Sequence, residues 1–322
     1  MKNSRLAFAA GLLSSLVLTF PAHAQLDSSR TVTIVVPVSA GGGVDAIGRL
    51  MAEKLQERLK QNVVVENRTG AGGIVGTASV AKAAPDGYTI LLTENSAAIS
   101  KWLTKSTPFD VNKDFSPIAQ LASSPLLLFA HPSVEANDIK GLIELAKKKK
   151  DLSAAIPGVG TPHHLAHLML EAEAKIKIQT IPYRGTGPGL ADVLAGRVPL
   201  MWATPVALIP HVNTGKVKVL GVASLKRTPS LPQAPTIAEN ALPGFNLDIW
   251  FGLTAPAKTP QPILARYEKE AAEIIKLPDV QARLKKLGFE EAYAGSDAFR
   301  KRIAADHERY GEAIRAAGIA PK

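Results

Sequence analysis

The sequence predicts an α/β fold of two lobes with a ligand cleft between them. Along the chain, short aliphatic runs alternate with segments of helical periodicity, the order expected for parallel strands covered by helices. The chain of 322 residues is long enough for two lobes with separate cores. Glycine-rich segments recur where predicted strands pass into predicted helices, and sheets of this kind bind ligands at those ends.

The first 24 residues have the pattern of a cleaved signal peptide. Lys2 and Arg5 give a positive start, residues 6–20 are almost all apolar, and Ala22-His23-Ala24 fits a cleavage site. An apolar run of 15 residues is shorter than the roughly 20 that span a bilayer, so a retained membrane anchor is disfavoured. We therefore expect export to the periplasm and a mature chain that begins at Gln25.

The composition excludes several function classes. Without cysteine, the chain has neither disulfides nor thiolate chemistry. Removal of the predicted signal lowers the net charge from +10 to +8, and such an excess attracts anionic ligands. The densest basic run, at residues 147–150, ends a predicted helix, where lysines complement the helix dipole. Aromatic residues are few and do not interleave with basic ones, so we expect no nucleic-acid partner, and we expect a monomer.

For the first lobe, the pattern predicts a βαβαβ unit. Strands are expected at residues 32–37, 63–66 and 88–93, and helices at 44–59 and 74–84. The first helix is predicted from apolar residues that share one face at 3.6-residue periodicity: Ile47, Leu50, Met51, Leu55 and Leu59.

Further apolar runs predict a second lobe. Its strands are expected at residues 126–130, 152–156, 178–182, 198–202 and 216–223. Its helices are expected at residues 138–148, 163–173 and 189–195.

The last quarter of the chain is predicted to return to the first lobe. Residues 227–243 contain four prolines and little periodicity, which is typical of an ordered surface connection. From residue 262 the pattern is helical to the end, with Ser296 as the predicted N-cap. The predicted lobes are residues 25–124 with 224–322 and residues 125–223, so the chain crosses twice.

Four glycine loops precede predicted helices, two in each lobe. The first to fourth glycine loops are residues 40–43, 70–73, 158–161 and 185–187. Glycine permits positive φ and close approach to the main chain, and each following helix presents unpaired N–H groups and the positive end of its dipole. Loops of this kind hold an anion without a buried cation, which predicts a small anionic ligand.

Nucleotide and hydrolase motifs are missing from the sequence. The first glycine loop is followed by Gly48 and does not fit G-x-G-x-x-G, and no Walker A or G-x-S-x-G pattern occurs. We therefore expect no cofactor and no enzyme, with a hydrolase that uses the same cleft kept as an alternative. Asp45 either caps the first helix or accepts a bond from the ligand, and capping is favoured because a carboxylate repels an anion.

Three histidines and a Tyr-Arg pair leave alternatives open. His163 and His167 are one helical turn apart, so a zinc receptor that uses them with His164 is the second alternative. The favoured interpretation has one histidine facing the ligand and the others packed. Tyr183 and Arg184 precede the fourth glycine loop, where a phenol suits a ligand hydrogen bond. Arg184 either pairs with a carboxylate or lies on the surface.

With these segments placed, the sequence resembles the Bug family, the extracytoplasmic receptors of tripartite tricarboxylate transporters. The matching stretches run in order through nearly the whole mature chain: Val36-Pro37 through the first glycine loop to Asp45, Val65-Glu66-Asn67-Arg68 with the second loop, Pro85-Asp86-Gly87-Tyr88, Gly160-Thr161 with His164-Leu165, Pro182-Tyr183-Arg184-Gly185, Pro235-Thr236 with Glu239, and Trp250-Phe251-Gly252 with Ala255-Pro256.

The resemblance implies a periplasmic-binding-protein (Venus flytrap) fold. It also implies a di- or tricarboxylate, acidic amino acid or aromatic acid as ligand, and delivery to inner-membrane permease subunits or a sensor. Family members often have a Phe-Asp-Asn-like stretch where this chain has Trp202-Ala203-Thr204-Pro205, which disfavours amino acids and favours a less polar or aromatic acid. The resemblance assigns ligand contacts to Ala40, Gly41, Gly42, Gly70, Ala71, Gly72, Thr161, His164, Tyr183 and Gly185.

Overall fold

The computed structural model describes residues 26–321, so the predicted signal peptide and Gln25 lie outside the described residues. The strands are β1 (Val32–Val36), β2 (Val63–Asn67), β3 (Thr89–Glu94), β4 (Phe115–Pro125), β5 (Leu127–Ala130), β6 (Ser153–Ile156), β7 (Gln179–Pro182), β8 (Leu200–Ala203), β9 (Lys218–Val222), β10 (Asp248–Pro256) and β11 (Glu290–Gly295).

The α-helices are α1 (Gly43–Leu59), α2 (Ile74–Ala81), α3 (Ser96–Leu103), α4 (Ile139–Lys148), α5 (Pro162–Ala174), α6 (Thr186–Leu194), α7 (Pro205–Val212), α8 (Ile237–Asn240), α9 (Gln261–Ile275), α10 (Pro278–Lys286) and α11 (Ser296–Ala316). Within the described range, no helix combines the length and apolar character needed to cross a membrane.

Two sheets organise the molecule. The larger has the strand order β11-β4-β10-β3-β1-β2, and the smaller has the order β7-β6-β8-β5-β9. The expectation of parallel sheets is only partly correct. Strands β2-β1-β3 and β7-β6-β8 pair in parallel, but β10 is antiparallel to β3 and β4, and β5 is antiparallel to β8 and β9. The mixed pairing arises because β5 and β10 are the first strands after the chain passes from one sheet to the other. Each runs through its new sheet in the direction opposite to its neighbours.

The first lobe follows the predicted pattern closely. Strands β1, β2 and β3 and helices α1 and α2 lie within a few residues of their expected positions. The five apolar residues that predicted the face of α1 are all buried. Gly48 allows α1 to approach the sheet, because a Cβ there would lie 2.8 Å from a methyl of Val36 and 3.4 Å from one of Leu92. This close packing sets the first turn of α1 against the carboxyl ends of β1 and β3.

Helix α4 of the second lobe shows how local chemistry sets an element boundary. Asp138 is its N-cap, and the carboxylate accepts a hydrogen bond of 2.7 Å from the N–H of Gly141. The lysines at the end of this helix lie in and just after its last turn, as the dipole argument expects.

We expect Asp138→Ala to lower the free energy of unfolding by about 1 kcal/mol, because the first turn of α4 loses its cap. Asp138→Asn keeps an acceptor oxygen and is expected to retain most of that stability. Urea unfolding of both variants measures the difference. Equal losses from the two substitutions would contradict the capping explanation.

The chain crosses between the sheets twice, and the crossings are bonded to each other. Only Leu126 separates β4 of the larger sheet from β5 of the smaller one. The N–H of Ala223 donates to the carbonyl of Leu126, and the N–H of Leu247 donates to that of Ala223, both at 2.8 Å. These segments form a narrow connection between the lobes. The lobe boundaries assigned from the sequence stay a prediction.

The expectation of a continuous helical region from residue 262 is wrong. Strand β11 interrupts it and pairs antiparallel with β4 at the edge of the larger sheet. Ser296 is the first residue of α11 and not its N-cap, which is Gly295. The Ser296 hydroxyl and N–H both donate to Glu268 on α9, each at 2.8 Å. An edge strand of polar, partly exposed residues lacks the alternation that distinguishes a strand from a helix in sequence.

Helix α11 is joined to the larger sheet by a buried carboxylate, as the predicted return of the chain requires. Asp306 is 3% exposed and accepts hydrogen bonds from Trp250 on β10 and from Arg302 at 2.8 Å. Arg309 also donates to it. The C-terminal helix therefore belongs with the larger sheet.

Candidate functional site

The glycine loops of the two lobes meet face to face. They follow β1, β2, β6 and β7, at the carboxyl ends of the parallel strands. The second loop contacts the third so closely that a Cβ at Gly72 would overlap the carbonyl oxygen of Val159. A Cβ at Gly158 would lie 2.6 Å from the Cα of Gly72. Glycine at position 72 therefore allows the lobes to approach.

The first and fourth loops make a second contact between the lobes. The N–H of Ser39 donates a hydrogen bond of 3.2 Å to the carbonyl of Arg184. A Cβ at Gly42 would lie 2.8 Å from the hydroxyl oxygen of Thr186. With both pairs of loops in contact, the structure is a closed form.

The closed loops surround a small interlobe cavity of about 20 Å³. A cavity of this size holds about one water, whereas ligand pockets span several hundred Å³. A carboxylate is larger than water, so the loops must separate to admit it, and the closed complex must hold a wider cavity than this one. The cavity is lined by Val38, Gly42, Gly43, Val44, Glu94, Pro157, His163, Thr186, Thr204 and Phe251.

Helix N-termini supply the positive potential of this cavity. Helix α1 begins after Gly42 and α6 after Gly185, and neither N-cap makes a side-chain capping bond. Their first-turn N–H groups are the unpaired donors that bind anions. Helix α5 begins after Thr161, whose hydroxyl accepts from His164 N–H at 3.3 Å. No lysine or arginine is among the lining residues, so main-chain donors dominate the recognition of an anion.

Asp45 holds the first glycine loop. Its carboxylate accepts hydrogen bonds from Arg49 and Asn67 at 3.0 Å and from the N–H of Gly41 at 3.2 Å. Burial opposes ionisation of Asp45, but these three donors outweigh it and keep its pKa below the ordinary value. The arrangement directs Asp45 to the loop and not to a ligand, but the predicted capping role is wrong, because the N-cap Gly42 has no side-chain capping bond and Gly41 precedes the helix.

The three histidines separate into different roles. His163 lines the cavity, its Nδ1 has no partner among the described residues, and burial lowers its pKa to about 3, which keeps the ring neutral. His164 accepts a long bond of 3.4 Å from the N–H of Gly160. His167 forms a hydrogen bond with the carbonyl of Ile178 through Nε2, and its Nδ1 accepts one from the Trp202 indole. Both of its ring nitrogens are therefore bonded within the core.

This geometry argues against the zinc interpretation. His163 and His167 would have to share a metal, but the nitrogens of His167 are already bonded within the core. Within residues 26–321, no group of three or more histidine, cysteine or acidic side chains is positioned to hold a metal.

The residues assigned by resemblance divide between two places. Gly42 lines the interlobe cavity, whereas Ala71, Gly72 and Tyr183 line an open groove along the outer edge of the closed loops. The Tyr183 hydroxyl donates to Asp192 at 2.6 Å, and the exposed Arg184 borders the same groove. Of the remaining assigned residues, His164 is in the first turn of α5, and the others lie in the loops themselves: Ala40, Gly41, Gly70, Thr161 and Gly185.

Sequence reasoning assigned no ligand contact to the side chains of Glu94, Thr186, Thr204 and Phe251, which line the cavity. Thr186 and Thr204 stand at helix starts, a signal that the sequence contained. Glu94 is the last residue of β3 and lies beside Phe251 of β10, a pairing that no local pattern indicates. Glu94 is only 3% exposed, and this burial raises its pKa to about 8. The chain thus has a carboxyl group inside the cavity, although the stretch at residues 202–205 lacks one.

Comparisons with known proteins assign the family. Residues 47–319 match the tripartite tricarboxylate transporter family receptor. The chain belongs to this receptor family. The periplasmic binding protein BugD superposes with a TM-score of 0.88 and 36% identity, over 91% of this chain and 99% of that chain. This likeness confirms the two-lobed periplasmic-binding-protein fold and the resemblance to the Bug family.

Two related structures contain ligands. MatC from Rhodopseudomonas palustris, with bound malate, has a TM-score of 0.83 and 31% identity, over 92% of this chain and 100% of that chain. A second R. palustris protein, with adipate, has a TM-score of 0.88 and 30% identity, over 91% of this chain and 99% of that chain. The family consists of solute-binding receptors, so this receptor-family chain is not an enzyme.

Proposed function

We propose that this receptor captures a small dicarboxylate in the periplasm and delivers it to inner-membrane permease subunits of the tripartite tricarboxylate type. The observation that carries the proposal is the convergence of the uncapped starts of α1 and α6, from opposite lobes, on one cavity without a lysine or arginine. An anion between them binds both lobes at once and favours the closed form by its differential affinity.

Several features support a dicarboxylate ligand. Adipate and malate, present in two related structures, are both small dicarboxylates. Val38, Val44 and Phe251 give the cavity apolar walls, which suit a short methylene chain between two carboxylates once the cavity widens around the ligand. The match to a transporter receptor family supports a permease as partner, and the pattern of residues 1–24 supports a periplasmic location.

We expect adipate or malate to raise the melting temperature of the mature protein. A ligand at 100 times its dissociation constant adds roughly 2.7 kcal/mol of stability. The measurement is a thermal-shift screen of dicarboxylates, benzoate and zinc at constant ionic strength. Adipamide and 1,6-hexanediol are matched controls, since they keep the chain length of adipate without its charges.

A shift with adipate and none with its uncharged analogues would support an anion site. The proposal fails if no carboxylate shifts the transition, or if the diol acts as strongly as the acid. A response to zinc that a chelator reverses would restore the metal-receptor alternative.

A further inference from the structure

We propose that Glu94 is a specificity-determining residue that enters the closed complex as a neutral acid and donates a hydrogen bond to the carboxylate ligand, so that ligand binding takes up a proton. The inference rests on the proposed function and adds a residue and a protonation state to it.

The position of Glu94 is set by β3 and its neighbours. Leu92, two residues earlier, faces α1 at Gly48, and alternate side chains of a strand share a face, so Glu94 is directed towards the start of α1. The next residue, Asn95, fixes the strand end, because it accepts from the N–H of Trp250 at 2.9 Å and donates to the carbonyl of Asp248 at 3.1 Å. The carboxyl group is therefore held at the cavity wall.

Glu94 has no partner that would keep it ionised. Among the described residues, no hydrogen bond or ion pair reaches its carboxyl group, and burial alone accounts for the rise of its pKa to about 8. An isolated carboxylate is very unfavourable in such a place and becomes neutral instead. A neutral carboxyl group carries an O–H donor, which an ionised one lacks.

The surrounding elements contribute few titratable groups. The cavity wall has glycine and valine from the start of α1, proline and His163 from the third loop and α5, Thr186 from α6, Thr204 before α7, and Phe251 from β10. Of these only His163 titrates, and its lowered pKa keeps it neutral.

Charges on the same elements are paired away from the cavity. Asp45 on α1 pairs with Arg49, and Asp248 on β10 pairs with Arg302. On α5, His164 contacts the N–H of Gly160. No described cation is therefore placed to compensate a second negative charge when a dicarboxylate enters.

A carboxylate ligand strengthens the preference for the neutral acid. In the open form Glu94 is in water and ionised at pH 7, whereas in the closed complex it shares a small space with another carboxylate. Two carboxylates in direct contact hold one proton between them. Closure around the ligand therefore takes up a proton, and affinity falls as pH rises between the pKa of the open form and that of the closed form.

The test is isothermal titration of the mature protein with adipate and with malate, in buffers of different ionisation enthalpy, from pH 5.5 to 9. We expect the wild type to take up nearly one proton for each bound ligand near pH 7, and its affinity to fall by up to about tenfold per pH unit. Glu94→Gln keeps a hydrogen-bond donor without a charge, so it should take up no proton and bind at least about tenfold tighter than the wild type at pH 8.

Glu173→Gln is the matched control. Glu173 is an exposed residue near the end of α5 whose pKa is also raised by burial, and it lies outside the cavity. This variant should keep the proton uptake and pH dependence of the wild type. If Glu94→Gln does not fold, His163→Gln decides, since proton uptake that persists in this variant supports Glu94 and uptake that disappears overturns the proposal.

The remaining outcomes separate the two proposals. Dicarboxylate binding without proton uptake would overturn the role of Glu94 and leave the proposed function intact. Tight binding of aspartate that Glu94→Gln abolishes would also overturn it, because Glu94 would then be the ionised partner of an ammonium group. If no acid binds at any pH, the proposed function fails, and the inference fails with it.

Discussion

Gly72→Val is expected to weaken dicarboxylate binding by about 100-fold while leaving the fold of each lobe intact. A side chain at this position overlaps the carbonyl of Val159 in the opposite lobe and meets no atom of its own lobe among its nearest neighbours. Overpacking of this kind costs about 1–3 kcal/mol, and here the lobes relieve it by staying apart. Since the ligand gains affinity by touching both lobes, the loss of closure appears as loss of affinity.

Gly215→Val provides a matched control. Gly215 lies in the turn between α7 and β9 with φ of +70°, close to the +64° of Gly72, and a Cβ there meets nothing within 4 Å. Both variants therefore carry the same strain of valine at positive φ, and only Gly72→Val adds an obstacle between the lobes.

Isothermal titration with adipate measures the affinities, and small-angle scattering measures compaction on binding. Wild type and Gly215→Val are expected to compact, and Gly72→Val is not. Similar affinities for the two variants would contradict the view that closure at the second and third loops is required for binding.

Much of the fold was predictable because burial leaves a periodic trace in single elements. Helix α1 has a single buried stripe, and β1 and β5 are short apolar runs, so each of these elements is recognisable from the sequence alone. Strands β4 and β10 were not recognisable, because almost every residue in them is buried and their sequences do not alternate between apolar and polar residues. They also contain serine, threonine and proline, which are residue types typical of loops.

The site was predictable to the level of its loops. Glycine before a helix is visible in sequence, and the loops do meet between the lobes. Which side chains join them depends on strand pairing and lobe closure. Glu94 is a single carboxylate after a strand, and only the β3–β10 pairing and the approach of α5 and α6 place it in a closed cavity. Its role therefore required three-dimensional information.

The buried carboxyl group also predicts how the stability of the closed, adipate-bound protein responds to pH. The pKa of Glu94 is raised from 4.5 to about 8 in the closed form. Below pH 4.5 the group is protonated in both closed and open or unfolded forms, so its contribution to stability is fully present. Between these two values the open or unfolded chain ionises while the closed form keeps its proton, so the contribution of Glu94 to stability declines as pH rises and is lost above about pH 8.

Glu94→Gln is therefore expected to raise the melting temperature of the adipate-saturated protein at pH 8 and to change it little at pH 4.5. The full difference in pKa would correspond to about 5 kcal/mol, but opening returns Glu94 to water and limits the gain. We expect roughly 1–2 kcal/mol, or about 2–3 °C, measured by calorimetry at both pH values. Glu173→Gln should show no such gain. A wild type and Glu94→Gln that melt together at pH 8 in saturating adipate would contradict a neutral Glu94 in the closed complex.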